Sequence, residues 1–366
     1  MLIVNGSFVD KSLTGVQRYA YELCLALKDQ GVPFRIAATR PIALPGYSSL
    51  NDRIDLVPKS ALGRLVRWEQ GDLSRYMLGR RKDILWNPSN LAVMGPFRQV
   101  TTVHDLAVYQ GEKWFDWKFA ALYKLYTPYT LRASERILTV SETIKREIAD
   151  RFRIPPSRIH VIRNGLRLPA ASGDGTGEAP AGGRAGRAGD LPYLLILGSL
   201  DPRKNLKNAL LAWGRVRKEL KAEVRLKVVG DAHWRFAQGD GKGEIAQDES
   251  VQFLGRVGDA ELDGLLRACL GKVYLSRYEG FGLPVLEALA RNRPCLISDI
   301  PVFRELFGEG CAFVDPTDAE AISRGMEAMI EDALSGRPRS AFADSYLRDY
   351  DWAASARALA GLLASI

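Results

Sequence analysis

Cysteine and histidine are scarce in this sequence, four and three among 366 residues. Cys24, Cys269, Cys295 and Cys311 lie apart in apolar segments, and His104, His160 and His233 are spread over the chain. That spacing suggests neither a disulfide framework nor a zinc site, so no metal cofactor is expected and a reducing cytoplasm is the simplest location. No stretch reaches about 18 uninterrupted apolar residues, so no transmembrane helix is expected. The opening Met1-Leu-Ile-Val-Asn-Gly6 has no basic n-region or cleavage site, and it reads as a buried strand rather than a signal peptide. Short internal repeats are absent as well, leaving two halves that share only an architecture.

What is present is the composition of a globular protein. Apolar residues make up 46% of the chain and charged residues 26%, which suits two domains that each bury a core. The net charge of +8 is unevenly placed: residues 1–168 hold 26 Lys and Arg against 15 Asp and Glu, and residues 169–366 hold 25 against 28. A basic half attracts nucleic acid, anionic lipid or anionic sugar. No nucleic-acid motif accompanies the charge, so no nucleic-acid partner is expected. Within that half, residues 60–82 set Arg64, Arg67, Arg75, Arg80, Arg81 and Lys82 among Leu62, Leu65, Val66, Trp68 and Leu73. This basic amphipathic pattern predicts contact with an anionic membrane surface, the alternative being a solvated helix face.

Apolar runs followed by a loop and a helical pattern recur along the chain. Leu2–Val4, Val100–Val103, Ile137–Val140, Ile159–Ile162, Tyr193–Leu197, Val224–Val229, Val251–Leu254, Lys272–Ser276 and Pro294–Ser298 read as strands. Tyr19, Leu23, Cys24 and Leu27 share one helical face, Ser141 caps a helix over Glu142–Phe152, and the chain closes on an Ala/Leu-rich helix. The class is therefore α/β with parallel sheets. Ligands of such sheets lie beyond the carboxyl ends of the strands. His104 follows one strand in that position, and Arg203 and Lys204 follow another. Tyr109–Tyr129 is rich in aromatics and Lys, which fits an acceptor wall and a helix core equally well. Residues 170–190 are too rich in Gly and Ala to pack a core and read as a flexible linker. The expected division is 1–169, linker 170–190, 191–349, and a terminal helix over 350–366.

The most informative stretch is Arg277-Tyr-Glu-Gly-Phe-Gly-Leu-Pro-Val-Leu-Glu-Ala-Leu-Ala290. It reads as the end of a strand, a glycine loop and a helix. Gly280 and Gly282 allow a tight turn and a close backbone approach to a ligand, and Pro284 suits the first helical turn. Free N–H groups at the start of that helix make a natural phosphate site. Glu287 falls about one turn in, where its carboxylate can accept from both hydroxyls of a ribose, and Glu279 sits in the loop.

Glu279 to Ala288 resembles the hallmark of the retaining glycosyltransferases of family 4, two glutamates separated by seven residues in a Glu-Gly-Phe-Gly-Leu-Pro context. Further segments resemble the same family: Gly15-Val-Gln-Arg-Tyr19, His104-Asp-Leu106, Pro202-Arg-Lys-Asn205 and Gly255-Arg256-Val257. The resemblance covers about residues 2–360. Two departures stand out: Thr14-Gly15 replaces a pair of glycines, and Ser199 stands where many members carry Arg. It implies the GT-B fold, two Rossmann-like domains facing each other across a cleft, with the last helix crossing back to the first domain. It also implies transfer of a sugar from a nucleotide diphosphate sugar with retained anomeric configuration, without a metal. Gly15 and the loop Gly280, Phe281, Gly282 and Leu283 would approach the donor, and Arg256 and Val257 would edge the nucleobase. Arg203 and Lys204 would hold the pyrophosphate, with Arg203 supplying the guanidinium missing at Ser199. Glu279 would orient the donor sugar, Glu287 bind the ribose, and His104 contact the sugar from the opposite domain.

Donor and acceptor are less legible. The Gly198–Asn205 and Ser298–Pro301 wording is most similar to mannosyltransferases of bacterial surface polysaccharide pathways, which implies GDP-mannose and a saccharide or lipid-linked acceptor. A peripheral position on the inner face of the cell membrane would follow. A sugar-nucleotide epimerase or phosphorylase would use the same fold, and a non-catalytic nucleotide-sugar-binding module is a further alternative.

Overall fold

The computed structural model describes residues 1–60, 68–111, 114–167, 191–197, 201–230, 248–336 and 347–366. The chain forms two compact units, Met1–Gly165 with Arg348–Ile366, and Leu166–Leu347. The linker expected over 170–190 and the departure at Ser199 lie outside the described residues.

In the first unit the strands are β1 (Leu2–Asn5), β2 (Phe34–Ala38), β3 (Ile54–Leu56), β4 (Ile84–Asn87), β5 (Arg98–Thr102), β6 (Arg136–Thr139) and β7 (Ile159–Val161). All pair in parallel in the order β3-β2-β1-β4-β5-β6-β7. Helices α1 (Gly15–Asp29), α2 (Ser74–Leu78), α3 (Trp117–Ala133) and α4 (Glu142–Phe152) lie between them. Every residue of β1 is buried, as expected of a central parallel strand covered on both faces. α1 starts at Thr14, whose N–H donates to Gln17 Oε1 at 3.2 Å, and Ser141 caps α4 by accepting from the Ile144 N–H.

The second unit repeats the plan. Strands β8 (Tyr193–Leu197), β9 (Arg225–Val229), β10 (Val251–Gly255), β11 (Gly271–Tyr274), β12 (Cys295–Ser298) and β13 (Ala312–Val314) pair in parallel as β10-β9-β8-β11-β12-β13. Helices α5 (Leu206–Arg215), α6 (Lys218–Glu223), α7 (Asp259–Ala268), α8 (Leu283–Leu289), α9 (Pro301–Phe307) and α10 (Ala319–Leu334) connect them. In both units the first strand is central: the next strands build outward on one side, then the chain returns to its other side. That reversal falls between β1 and β4, and between β8 and β11, and it opens a crevice at the carboxyl ends of those strands.

The terminal helix α11 (Trp352–Ala364) belongs to the first unit. Asp351 caps it, accepting from the N–H groups of Ala353 at 2.9 Å and Ala354 at 3.1 Å. Ser355 Oγ donates to Arg163 O at 2.8 Å, Gln30 Nε2 donates to Ala353 O at 2.8 Å, and Trp352 stands edge-on to Tyr19 at 6.0 Å.

The membrane expectation for residues 60–82 changes here. Trp68 and Leu73 are buried, with Met77, in a core cluster around Ile3 and Leu85, and Trp68 Nε1 donates to Val57 O at 2.8 Å. Trp68, Leu73 and Met77 therefore face the sheet, while Leu78 is 46% exposed. Arg75, Arg81 and Lys82 are exposed and form a solvated face, while Leu62, Arg64, Leu65, Val66 and Arg67 lie outside the described residues.

Gly165 tests how closely α11 is seated. A Cβ there would lie 2.5 Å from the Trp352 backbone nitrogen and 2.6 Å from its Cγ, and neither atom can retreat without lifting the helix. Gly165→Ala should cost roughly 1–3 kcal/mol in urea unfolding. Gly264→Ala is the control: nothing lies within 4 Å of its Cβ position in α7, so it should stabilise by about 0.5–1 kcal/mol.

Candidate active site

The crevice of the second unit gathers most of the residues that the sequence nominates. Beyond β8, Asp201 caps a single turn over Pro202–Lys204 by accepting from the Arg203 N–H at 2.9 Å. Asn205 then turns the chain in the left-handed region at φ +60° and starts α5. Its Nδ2 donates to Pro316 O at 2.7 Å, which anchors the turn. Beyond β11, the Arg277 N–H donates to Arg203 O at 2.9 Å, tying the two strand ends together.

Between them lies a buried charge cluster. Glu279 is 8% exposed. Its Oε1 accepts from Lys204 Nζ at 2.5 Å and from the Tyr274 hydroxyl at 2.8 Å, and its Oε2 lies 3.5 Å from Arg203 Nη1. Lys204 Nζ also donates to the Tyr274 hydroxyl at 2.7 Å, and Arg203 Nη1 to Tyr278 O at 3.3 Å. Burial works to raise the Glu279 pKa, but the Lys204 and Arg203 charges and the hydrogen bond from Lys204 outweigh it and hold the carboxyl at about 2. Burial works to lower the Lys204 pKa, and Glu279 more than reverses that. Glu279 is therefore a fixed carboxylate at neutral pH, and Lys204 a fixed cation.

The glycine loop lies on aromatic rings. Gly282 has φ +109°, and a Cβ there would meet the Phe303 ring at 2.8 Å and the Phe307 ring at 3.1 Å, so glycine is required on both counts. Gly280 does not share the positive φ, so the turn is made at Gly282 alone. Gly280 and Phe281 are buried and Leu283 half-buried at the first position of α8. Glu287 is half-buried on α8, whose far end is pinned where Arg291 donates to Glu287 O at 2.6 Å and pairs with Asp263 at 2.5 Å. Arg256 is exposed and Val257 half-buried beyond β10, the edge strand, where Gly255 takes φ +67° at a bulge against β9.

The first unit holds the other two nominated residues. Gly15 is exposed at the first turn of α1. His104, 7% exposed, follows β5: its N–H donates to Asn90 Oδ1 at 2.7 Å, and its Nε2 lies 2.8 Å from Pro88 O. A carbonyl oxygen can only accept, so Nε2 carries the proton. Burial lowers the His104 pKa against the opposing pull of the Pro88 carbonyl and Asp105, which keeps the ring neutral at pH 7. Tyr19 stands edge-on to it at 4.9 Å, so that tyrosine acts in the core, buttressing the imidazole.

Two residues escaped the sequence reading. Tyr274 bridges Lys204 and Glu279, and strand alternation could have found it, since Lys272 and Tyr274 share one face of β11. Lys272 is fully buried, and its ammonium makes no hydrogen bond among the described residues. Burial pushes it down to about 8, against Glu287 and the sulfurs of Cys295 and Cys269.

Lys272 yields a pH prediction. Between about 8 and the ordinary 10.5, the unfolded chain holds a proton that the folded chain has shed, so stability rises with pH across that window. Lys272→Met removes the linkage. The stability difference, variant minus wild type, should shrink by about 3 kcal/mol between pH 7.5 and 10.5 in urea unfolding. A constant difference would show that the lysine titrates normally.

Comparison with known proteins adds to this geometry. The model for Glycosyltransferase Family 4 matches residues 13–168, and that for Glycosyl transferases group 1 matches residues 183–344. O-antigen chain mannosyltransferase B of Escherichia coli is 29% identical over 252 residues, 64% of this chain and 62% of that protein, so the match spans about three fifths of the relative. O-antigen chain mannosyltransferase RfbU of Salmonella typhimurium is 25% identical over 354 residues, 91% of this chain and 93% of that one. Among solved structures, sucrose-phosphate synthase from Thermosynechococcus elongatus superposes with a TM-score of 0.72 at 17% identity, covering 100% of this chain and 98% of its own.

Proposed function

We propose a reaction for this chain from one premise: it belongs to the glycosyltransferases, with a family 4 domain followed by a group 1 domain, and has the GT-B fold. The reaction is transfer of a hexosyl group from a nucleotide diphosphate sugar to a hydroxyl of a growing saccharide, with retention of configuration. GDP-mannose is the donor, by analogy with the two mannosyltransferase relatives, and the acceptor is carried on a lipid in bacterial surface polysaccharide synthesis. That carrier would hold the enzyme at a membrane surface.

The observation that carries the reading is the charge cluster around Glu279. A carboxyl held at about 2 is neither a general acid nor an effective base at neutral pH. It is suited to accepting hydrogen bonds from sugar hydroxyls. The catalytic work then falls on the leaving group. As the bond from the anomeric carbon to phosphate oxygen breaks, negative charge grows on the diphosphate, and Lys204 and Arg203 stand ready to stabilise it. The acceptor oxygen bonds to the anomeric carbon from the face that the phosphate leaves, and its proton passes to the departing phosphate oxygen. Glu287 accepts from the ribose hydroxyls, the Gly280–Leu283 loop lines the phosphates, and Arg256 and Val257 flank the base. Gly15 brings backbone N–H groups to the donor, and the neutral His104 contributes a hydrogen-bonding ring nitrogen to the sugar. Two fixed cations do the work that a metal ion does elsewhere.

Incubation with GDP-mannose, a lipid-linked acceptor and EDTA should release GDP and give a product with the donor's anomeric configuration by NMR. Loss of activity in EDTA with rescue by Mn²⁺, or an inverted product, would overturn the mechanism. Conversion of the nucleotide sugar without consumption of acceptor would favour an epimerase. Lys204→Met should lower kcat by roughly 100- to 1000-fold. Glu287→Ala should weaken nucleotide binding by about 10- to 100-fold in calorimetry, from the loss of charge-assisted hydrogen bonds, and unchanged affinity would remove the ribose assignment.

A further inference from the structure

Lys272 is fully buried on the inner strand β11, and its Nζ makes no hydrogen bond among the described residues. A leucine or methionine would fill the same volume without the desolvation that a buried cation suffers. Strand alternation shows which way it points. At Gly271 a Cβ would strike Met329 of α10, so Lys272 faces the opposite side of the sheet, together with Tyr274. On that side the Tyr274 ring lies 5.8 Å from Phe303 of α9, and α8 packs on the same strand. Lys272 stands in register between Leu195 of β8 and Cys295 of β12, with Nζ 5.7 Å from the centre of the Tyr274 ring.

We propose that Lys272 is a buried positioning residue of the donor site: its ammonium holds the Glu287 carboxylate beside the diphosphate, and its protonation sets how tightly the nucleotide binds. Glu287 of α8 supplies the charge opposite Lys272. Arg291, one turn on, acts against it but is itself paired with Asp263 at 2.5 Å. The thiols of Cys295 and Cys269 donate to Arg293 O at 3.5 Å and Leu266 O at 3.4 Å, and Leu195 is apolar. The Tyr274 ring offers the ammonium its π face, while the Tyr274 hydroxyl holds Lys204 and Glu279. Lys272 therefore stands behind both glutamates of the motif, reaching one through a ring and the other through charge. A carboxylate that accepts from a ribose also repels the diphosphate attached to it. A cation set behind that carboxylate offsets the repulsion. Burial leaves this cation with a pKa of about 8, so it is lost in the alkaline range, and a nucleotide anion bound nearby favours its return.

This deepens the donor site proposed above and rests on the ribose assignment of Glu287. Calorimetry of GDP binding to the full wild-type chain at about pH 8.5, in two buffers of different ionisation enthalpy, should show uptake of a fraction of a proton. Lys272→Met should abolish the uptake and weaken GDP binding at about pH 7 by roughly three- to tenfold. Wild-type affinity should then fall toward that of the variant as the pH rises to about 9.5, the guanine base titrating alike in both. Combined with Glu287→Gln, Lys272→Met should weaken binding by less than the product of the two single effects. Effects that simply multiply would show the ammonium acting on the phosphates directly, and would overturn the positioning role. No proton uptake by the wild type overturns the proposal outright, and that measurement decides even where Lys272→Met fails to fold. Equal affinities of wild type and Lys272→Met at every pH do the same and leave the lysine a packing residue. Unchanged GDP affinity in Glu287→Ala would instead remove the ribose assignment beneath it. Weakened binding in Glu287→Ala beside a silent Lys272→Met would sink this inference alone.

Discussion

A carboxylate cannot be buried at the end of a strand unless positive charge is buried with it. Glu279 meets that constraint with Lys204 and Arg203, and much of the second unit serves to keep the three together. Charges taken out of water attract strongly but lose hydration, so such a cluster is stable only when its geometry is fixed and its remaining groups are bonded. The left-handed turn at Asn205 sets the cations at the end of β8, and Tyr274 occupies the space between Lys204 and the carboxylate. Gly282 lets the loop lie on Phe303 and Phe307, which holds Glu279 in register with the cations.

The fixed charges also separate positioning from proton transfer. A glutamate with a raised pKa would invite acid catalysis, and a histidine near 7 would invite a shuttle. Glu279 and His104 are pushed away from both roles, by adjacent cations in the first case and by burial in the second. Both become rigid hydrogen-bonding groups with constant charge. Chemistry that depends on stabilising a departing anion is served by that constancy.

The sequence was most legible where one residue type has one structural use. Glycine at 282, Pro284, the Ser141 cap and the apolar run Tyr193–Leu197 each correspond to an observed turn, helix start or strand. Strands β2, β3 and β4 went unread: Arg35 and Asp55 interrupt the apolar runs Phe34–Ala38 and Ile54–Leu56, and Ile84–Asn87 directly follows the segment read as a basic amphipathic helix. The site was legible through motif residues and failed at Tyr274 and Lys272, whose roles depend on which face of β11 they occupy. The amphipathic pattern of residues 60–82 was ambiguous because an apolar stripe identifies a buried face without saying what buries it: the sheet covers Trp68 and Leu73. The aromatic run after Tyr109 was ambiguous for the same reason: in α3 Trp117 and Phe119 are exposed while Tyr123, Tyr126 and Tyr129 are half-buried.

The seating of α11 on the first unit has a consequence for biosynthesis. A ribosome delivers residues 1–165 first, yet the ring of Tyr19 and the carbonyl of Arg163 meet their partners only when residues 352–355 emerge. Vectorial folding, in which each domain matures as it leaves the tunnel, can complete the second unit, whereas the first can pair its strands but lacks its contacts with α11 until residues 348–366 emerge. The nascent amino-terminal half must wait, with part of α1 uncovered, through the translation of about two hundred further codons. During that interval it is a natural client for a chaperone, and residues 348–366 complete its first core.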